Sequence, residues 1–118
     1  MIVHLVLFTP RDGLADQDRW RVVSALEHVL KTIPSIRRYQ VGRRIRLGTA
    51  YDALSPGPPH YCCIFEFETR EDLRAYLEHP AHVELGQLFY DTSSSAQAFD
   101  FDTVDADAGA RLASWQGN

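Results

Sequence analysis

Four side chains that can carry protons are the residues of this sequence best suited to chemistry. They are His4 near the N-terminus and, later in the chain, Tyr76, His79 and His82. Imidazole is the natural general base near neutral pH, and a phenol can donate a hydrogen bond to a carbonyl or enolate oxygen. If the fold brings His4, Tyr76 and His82 together, they form a small acid–base site that needs no metal.

Each of these residues also has an ordinary structural interpretation. His4 lies in an apolar segment and can be a satisfied core histidine, while Tyr76 can be a core residue with its hydroxyl at the rim. His79 precedes Pro80 and can cap a helix. Three imidazoles suit zinc, but the spacing of His4, His79 and His82 matches no metal signature, so we expect neither a metal nor a cofactor.

The hydrophobic pattern predicts the elements that must position these residues. Apolar residues recur at helical spacing between Asp16 and Ile33, where Pro34 ends the pattern, and a second helical segment follows Thr69 and restarts at Pro80. Strands are predicted at 2–8, 36–47, 61–68 and 98–104, with a break at the serines 93–95 and a long loop at 48–60. The order strand, helix, strand, strand, helix, strand predicts an α+β, ferredoxin-like protomer whose antiparallel four-stranded sheet has its helices on one face.

Length and composition limit the kinds of partner. The 118 residues carry a net charge of −4, so we expect one domain without a general affinity for nucleic acid or anionic membranes. No apolar run is long enough to span a bilayer and no signal peptide is evident, which makes the cytoplasm the expected location. We divide the chain into a domain at 1–104 and a loose tail at 105–118, in which Leu112 and Trp115 could dock on another surface.

Two further groups of residues favour packing over chemistry. Cys62 and Cys63 are neighbours in a predicted strand, where their side chains point to opposite faces, so we interpret both as reduced packing residues rather than a redox pair. A cluster of arginines at 37–46 could hold an acidic substrate, but it also suits a solvated strand, and Glu66 and Glu68 of the neighbouring strand can pair with it.

The first predicted strand indicates a partner. It is apolar on both faces, while the helices of this fold cover only one face of the sheet. Leaving Val3, Leu5 and Leu7 in water would forgo roughly 1.5–3 kcal/mol for each side chain. We therefore expect a two-fold homodimer with sheet against sheet; the alternative is that the C-terminal tail covers the face.

Several segments together resemble the stress-responsive dimeric α/β-barrel (Dabb) domain. They are the opening strand MIVHLVLF (1–8), the strand entry at 36–42, the segment FEFETREDL (65–73) and above all YLEHPAH (76–82). The resemblance spans roughly residues 1–104. Its most specific feature is the His-Pro-x-His motif combined with a histidine in the first strand.

The resemblance implies a ferredoxin-like protomer that pairs into a dimeric barrel around a small-molecule pocket. The family includes stress-induced plant proteins and a cofactor-free plant polyketide cyclase, in which the counterpart of His82 acts as base and that of Tyr76 orients the base or the substrate. On this basis we predict His82 and Tyr76 as catalytic, and His4 and His79 as substrate-binding. The chain departs from the cyclase at Leu26, where the cyclase has a tyrosine, in its longer 48–60 loop and in its acidic tail.

Two functions follow as hypotheses. The first is a cofactor-independent, cyclase- or lyase-like enzyme that takes a small apolar or polyketone-like molecule. The second is a non-catalytic dimer that binds a small ligand or acts as a structural stress-response protein. A cofactor-free monooxygenase is a weaker idea that rests on fold analogy alone.

Overall fold

Four antiparallel strands form one sheet, and helices pack against one of its faces. The computed structural model describes residues 1–104 and 108–115. The strands are β1 (Ile2–Pro10), β2 (Arg38–Arg43), β3 (Tyr61–Phe67) and β4 (Ser93–Asp102), in the spatial order β2-β3-β1-β4. The helices are α1 (Asp16–Thr32), α2 (Ala50–Leu54), α3 (Arg70–Glu78), α4 (Pro80–Thr92) and α5 (Ala108–Ser114). This architecture confirms the ferredoxin-like protomer.

The strand alternation decides which side chains meet the helices. Ile2 and His4 of β1 are buried on the helix side, beside Phe65 and Phe67 of β3. Because successive strand residues point to opposite faces, Val3, Leu5 and Leu7 must lie on the other face. His4 is thus a polar side chain in the helix-facing core, and such a group needs a hydrogen-bond partner.

The junction of α3 and α4 fixes the histidine motif. His79 has an extended backbone, with φ −68° and ψ 135°, and Pro80 is the first residue of α4. A residue before proline is disfavoured in the helical region, and proline suits the first helical turn because it has no N–H to leave unpaired. The chain therefore ends α3, turns at His79 and begins α4 with His82 in its first turn, as the sequence predicts.

The strand bounds differ most from the prediction at the end of β2 and at the start of β4. β2 ends at Arg43 instead of residue 47, because the register would next bring Pro59 and Pro58, which have no N–H, opposite residues 45 and 46. Arg44 and Arg46 instead turn their guanidinium groups to carbonyl groups of the 52–59 segment. The predicted break at the serines 93–95 is wrong, since β4 begins at Ser93 and pairs there with the end of β1. Neither difference alters the spacing of the apolar residues, so the hydrophobic pattern alone could not predict these two strand ends.

The cysteines and the arginine–glutamate pairs agree with the sequence prediction. Both cysteines are free thiols, and Arg37 and Arg38 lie 3.2 and 3.7 Å from Glu68 and Glu66. Within the described residues, none of the helices has the length and hydropathy to cross a membrane.

The sequence predicts a loose C-terminal segment. Its residues 108–114 form α5, with Leu112 65% and Trp115 51% exposed, while 105–107 and 116–118 lie outside the described residues.

The sheet face away from the helices is apolar and open. The register places Phe99 and Phe101 of β4 opposite Leu5 and Val3, and Ile64 of β3 opposite Leu5 on the other side. Phe99 is 44% exposed and Phe101 49% exposed. We call this surface the open face; it is defined by Val3, Leu5, Leu7, Ile64, Phe99 and Phe101.

Candidate active site

A cavity of about 270 Å³ lies between α4 and the β4 edge of the sheet, on the helix side. Its position follows from the fold, because β4 is an edge strand and α4 is the helix that packs nearest to it. The walls are mostly apolar, and three of the predicted site residues reach it. The lining residues are His4, Val6, Phe65, Tyr76, Leu77, His82, Leu85, Gly86, Phe89, Tyr90, Ala96, Gln97 and Ala98.

The three predicted residues form one cluster of rings. The centroids of Tyr76 and His82 are 4.6 Å apart, those of His4 and Tyr76 5.8 Å, and those of His4 and His82 6.3 Å. Tyr76 comes from α3, His82 from α4 and His4 from β1, so the turn at His79 is what brings the first two together. The structure thus joins residues that are up to 78 positions apart in the chain.

One backbone contact fixes the tautomer of His82. Its Nδ1 lies 3.0 Å from the carbonyl oxygen of Leu77, at the end of α3. Because a carbonyl can only accept, Nδ1 must carry the hydrogen, which leaves the lone pair of the neutral ring on Nε2. The Nε2 atom is therefore the basic atom that His82 can offer to a ligand.

The surroundings of His82 also favour its neutral form. Burial lowers its pKa from the ordinary value of 6.5, and the nearby His4 lowers it further, while the bond to Leu77 opposes both effects. A half-buried imidazole is costly to charge because it loses water that would solvate the cation. At neutral pH His82 is consequently ready to accept a proton.

Tyr76 has the opposite chemical character. Its side chain is 1% exposed, and burial raises the pKa of the phenol well above its ordinary value, with Cys63 and Tyr39 adding to the effect. A phenol of this kind keeps its proton and acts as a hydrogen-bond donor. Across the described part of the chain, no group hydrogen-bonds to the Tyr76 hydroxyl, so the donor is free for a ligand.

His4 is held by a residue that the sequence analysis did not single out. Its Nδ1 lies 2.6 Å from Oδ1 of Asp100, and the two side chains are 5% and 48% exposed. A carboxylate only accepts, so the hydrogen between the two groups belongs to Nδ1 of His4, and Nε2 is the ring nitrogen that Asp100 leaves free. One signal was available: Asp100 alternates with Phe99 and Phe101, which places its carboxylate on the helix side of an edge strand.

His79 lies apart from this cluster. Its Nδ1 accepts a hydrogen bond of 3.0 Å from the backbone N–H of Ala81, which caps the start of α4. It does not line the cavity, so a part in substrate binding stays a prediction for His79. In the described ranges there is also no group of three or more His, Cys, Asp or Glu side chains placed to hold a metal ion.

The first helix leaves the cavity open. Val23 and Leu26 of α1 line a separate apolar cavity of about 230 Å³ between α1 and the sheet, and Phe89 forms a wall of both spaces. Trp20 is 67% exposed on the outer surface of α1. The side chains of Trp20, Val23 and Leu26 thus leave the space around His82 unfilled.

Comparison with known proteins identifies relatives of the whole domain. The family model described as the stress responsive A/B barrel domain matches residues 2–103. A stress-response A/B barrel domain-containing protein, HS1 of Arabidopsis thaliana, is 22% identical over 102 residues, covering 85% of this chain and 87% of HS1.

Solved structures share the fold at low identity. A dimeric ferredoxin-like protein of unknown function from Thermobifida fusca has a TM-score of 0.65 and 24% identity, covering 86% of this chain and 90% of its own. The hydroxynitrile lyase of Passiflora edulis has a TM-score of 0.69 and 14% identity, covering 85% of this chain and 90% of its own. Structural similarity at these low sequence identities establishes the fold of this chain alone.

Proposed function

The chain belongs to the stress-responsive A/B barrel domain family, and we propose that it is a cofactor-independent acid–base enzyme with His82 as the general base. The observation that carries the proposal is the ring cluster at the cavity wall. A neutral imidazole and a phenol that keeps its proton lie 4.6 Å apart between ring centroids. Such a pair can divide the work of base and hydrogen-bond donor between two residues.

The first chemical step is removal of a proton from a carbon next to a carbonyl group. Nε2 of His82 takes the proton, and the electron pair of the C–H bond moves into the enolate. The Tyr76 hydroxyl donates a hydrogen bond to the enolate oxygen, where negative charge develops. The protonated His82 then returns its proton as the enolate adds to a second carbonyl or expels a leaving group, which gives cyclase- or lyase-like chemistry.

His4 and Asp100 orient this site. The carboxylate of Asp100 holds the His4 ring through Nδ1, at 2.6 Å. The Nε2 atom of His4 is then the ring nitrogen left for a hydrogen bond with a substrate or water. We assign His4 to substrate binding and Asp100 to positioning His4.

The cavity sets the substrate class. A volume of about 270 Å³ lies just below the range of roughly 300–1,000 Å³ that holds drug-sized ligands. Its walls combine Phe65, Leu85 and Phe89 with the polar cluster at one end. We therefore infer a small, mostly apolar carbonyl compound. The hydroxynitrile lyase of the same fold supports small-molecule chemistry for this kind of scaffold.

The working form that we propose is a two-fold homodimer. Phe99 and Phe101 are about half exposed on the open face, and contiguous apolar surfaces of this kind mark interfaces. The alternative, that the C-terminal tail covers this face, is not supported by the described part of the tail, where Leu112 and Trp115 are exposed. The related fold from Thermobifida fusca is described as dimeric, which also favours two copies.

The enzymatic proposal is tested by hydrogen exchange at carbon. Wild-type protein is incubated in D₂O with a panel of small ketones that includes phenylacetone, and deuterium at the carbon next to the carbonyl is followed by NMR. We expect His82→Gln to lower the protein-dependent exchange rate by about 10²–10⁴-fold, the usual contribution of a general base. His28→Gln serves as control, because His28 is exposed on α1 away from the cavity.

The same exchange assay can contradict the enzymatic proposal. Exchange that is absent in the wild type, or equal in the wild type and His82→Gln, overturns the enzymatic proposal for these ketones. Ketone-induced NMR shifts at cavity residues without any exchange would favour the second hypothesis, a non-catalytic small-ligand-binding dimer.

A further inference from the structure

We propose that residues 44–59, which we call the arm, form an interaction surface for a second copy of this chain. The arm follows edge strand β2 and contains helix α2. The inference rests on the dimer of the proposed function and adds a second contact region to the open face. It is carried by three observations: the arm has its own internal bracing, its large apolar side chains are in water, and it borders the open face.

Two arginines brace the arm from within. Arg44 donates to the carbonyl oxygens of Gly57, Pro59 and Ser55 at 2.9, 3.2 and 2.8 Å. Arg46 donates to the carbonyls of Ser55, Pro56 and Gly57 at 2.9, 3.0 and 2.9 Å, with a longer contact of 3.4 Å to Asp52. The guanidinium groups are thus turned inward onto backbone carbonyls, which explains why these arginines are not a free basic surface.

A capping box orders the tip of the arm. The Thr49 hydroxyl accepts from the Asp52 N–H, and the Asp52 carboxylate accepts from the N–H groups of Thr49 and Leu47 at 3.1 and 2.9 Å. At the base, the Arg44 N–H donates to the His60 carbonyl at 2.8 Å. The arm therefore has a defined conformation before any partner arrives, which lowers the entropic cost of binding.

The braced arm holds four large apolar side chains in water. Their exposed fractions are 69% for Ile45, 73% for Leu47, 68% for Tyr51 and 84% for Leu54. Single exposed apolar residues are common on protein surfaces, but the arm has four within ten positions of one ordered segment. An arm of this composition suits an apolar protein surface and not nucleic acid.

The position of the arm argues for a second copy as the occupant. A crevice of about 200 Å³ joins the arm to the sheet; it is lined by Leu7 of the open face, by Cys62, and by Arg44 and Pro59 of the arm. The arm is therefore continuous with the surface that we assign to the dimer. In a two-fold interface each patch is used twice, so one ordered arm per chain extends the contact at both ends.

The dimer dissociation constant tests the proposal. Sedimentation equilibrium is measured for the wild type, Leu47→Glu, Leu54→Glu and the control Val83→Glu. Val83 is 59% exposed on α4, in the helix layer away from the open face. We expect each arm substitution to raise the dissociation constant about tenfold or more, because a charge replaces a side chain buried at the interface, and the control to leave it unchanged.

The outcomes separate the two proposals. A wild-type protein that sediments as a monomer at micromolar concentration overturns both the dimer and the role of the arm. A wild-type dimer whose dissociation constant stays within threefold in both arm variants overturns the arm alone.

A second measurement does not depend on the folding of any variant. Dimers are mixed from ¹³C-labelled and unlabelled wild-type protein, and isotope-filtered NOEs are recorded for the methyl groups of Ile45, Leu47 and Leu54. We expect intermolecular NOEs from these methyls. A dimer that gives such NOEs only from Leu5, Leu7 and Ile64 contradicts the proposal.

Discussion

The chemistry of this protein is set by what each ring of the cluster donates and accepts. His82 gives its Nδ1 hydrogen to the Leu77 carbonyl and keeps Nε2 for a ligand, while burial keeps the ring neutral by lowering its pKa. Burial has the opposite effect on Tyr76: it raises the pKa of the phenol, which therefore keeps its proton. The same apolar surroundings therefore make one group a base and the other a donor.

Tyr76→Phe separates a catalytic from a structural role. The ring packs against Phe65 and Phe67 at centroid distances of 5.4 and 5.1 Å, and the phenylalanine ring keeps these contacts. The hydroxyl has no hydrogen-bond partner among the described residues, so we expect the free energy of unfolding in urea to change by less than about 1 kcal/mol. Exchange of the ketone probe should fall by about 10²-fold, since a donor to the developing oxyanion is lost.

The matched control is Tyr51→Phe, which removes an exposed hydroxyl from α2, outside the cavity. It should leave the exchange rate of the ketone probe unchanged. A Tyr76→Phe protein that loses several kcal/mol of stability but exchanges at the wild-type rate would make Tyr76 a structural residue only.

At the scale of elements, the open volume of the cavity depends on one residue of α4 that lowers the stability of the helix. Gly86 lies inside this helix, one turn after His82, and lines the space beside the imidazole. Glycine in a helix interior is less stable than alanine by roughly 0.5–1 kcal/mol. A Cβ at this position would have its nearest neighbour at 3.9 Å, the Cε1 atom of His82, which is ordinary contact. Stability alone would therefore favour alanine, whereas the open space beside His82 favours glycine.

Gly86→Ala and Gly86→Leu should consequently separate stability from activity. We expect Gly86→Ala to raise the free energy of unfolding by about 0.5–1 kcal/mol and Gly86→Leu to lower ketone exchange by about tenfold or more, by filling the cavity. Urea titration and the exchange assay measure the two effects. Gln87→Ala, on the exposed side of the same helix, is the control. Full activity in Gly86→Leu would mean that the reaction does not use this space.

The helices and strands were easier to predict from the sequence than the pairing of the strands. The apolar spacing from Trp20 to Ile33 and the Pro80 signal define α1 and the start of α4, because helical period and proline geometry act locally. The contact between His4 and Asp100 depends on the register of β1 with β4, which no local pattern states. For the same reason the local pattern predicts a break at the serines that begin β4, whereas their pairing with the end of β1 makes them a strand.

The whole molecule creates the site by joining the ends of the domain. His4 belongs to the first strand and Asp100, which holds its ring, to the last, while α3 and α4 bring Tyr76 and His82 to the cavity that His4 also lines. The low pKa of His82 is therefore a property of the folded chain. In the unfolded chain His82 should titrate near 6.5, so the unfolded state binds more protons between that value and the folded pKa. Its contribution to stability is present above about pH 6.5 and is lost as the pH falls through the folded pKa.

The protonation state of His82 is the most direct test of the account. Long-range ¹H–¹⁵N NMR spectra of the ring are recorded from pH 4.5 to 8.5, with His82→Gln used to assign the signals. We expect the tautomer with hydrogen on Nδ1 and a titration midpoint below 6.5 in the folded protein, moving to about 6.5 in urea. Hydrogen on Nε2, or a midpoint above 6.5 in the folded state, would contradict the claim that His82 is the general base of this cavity.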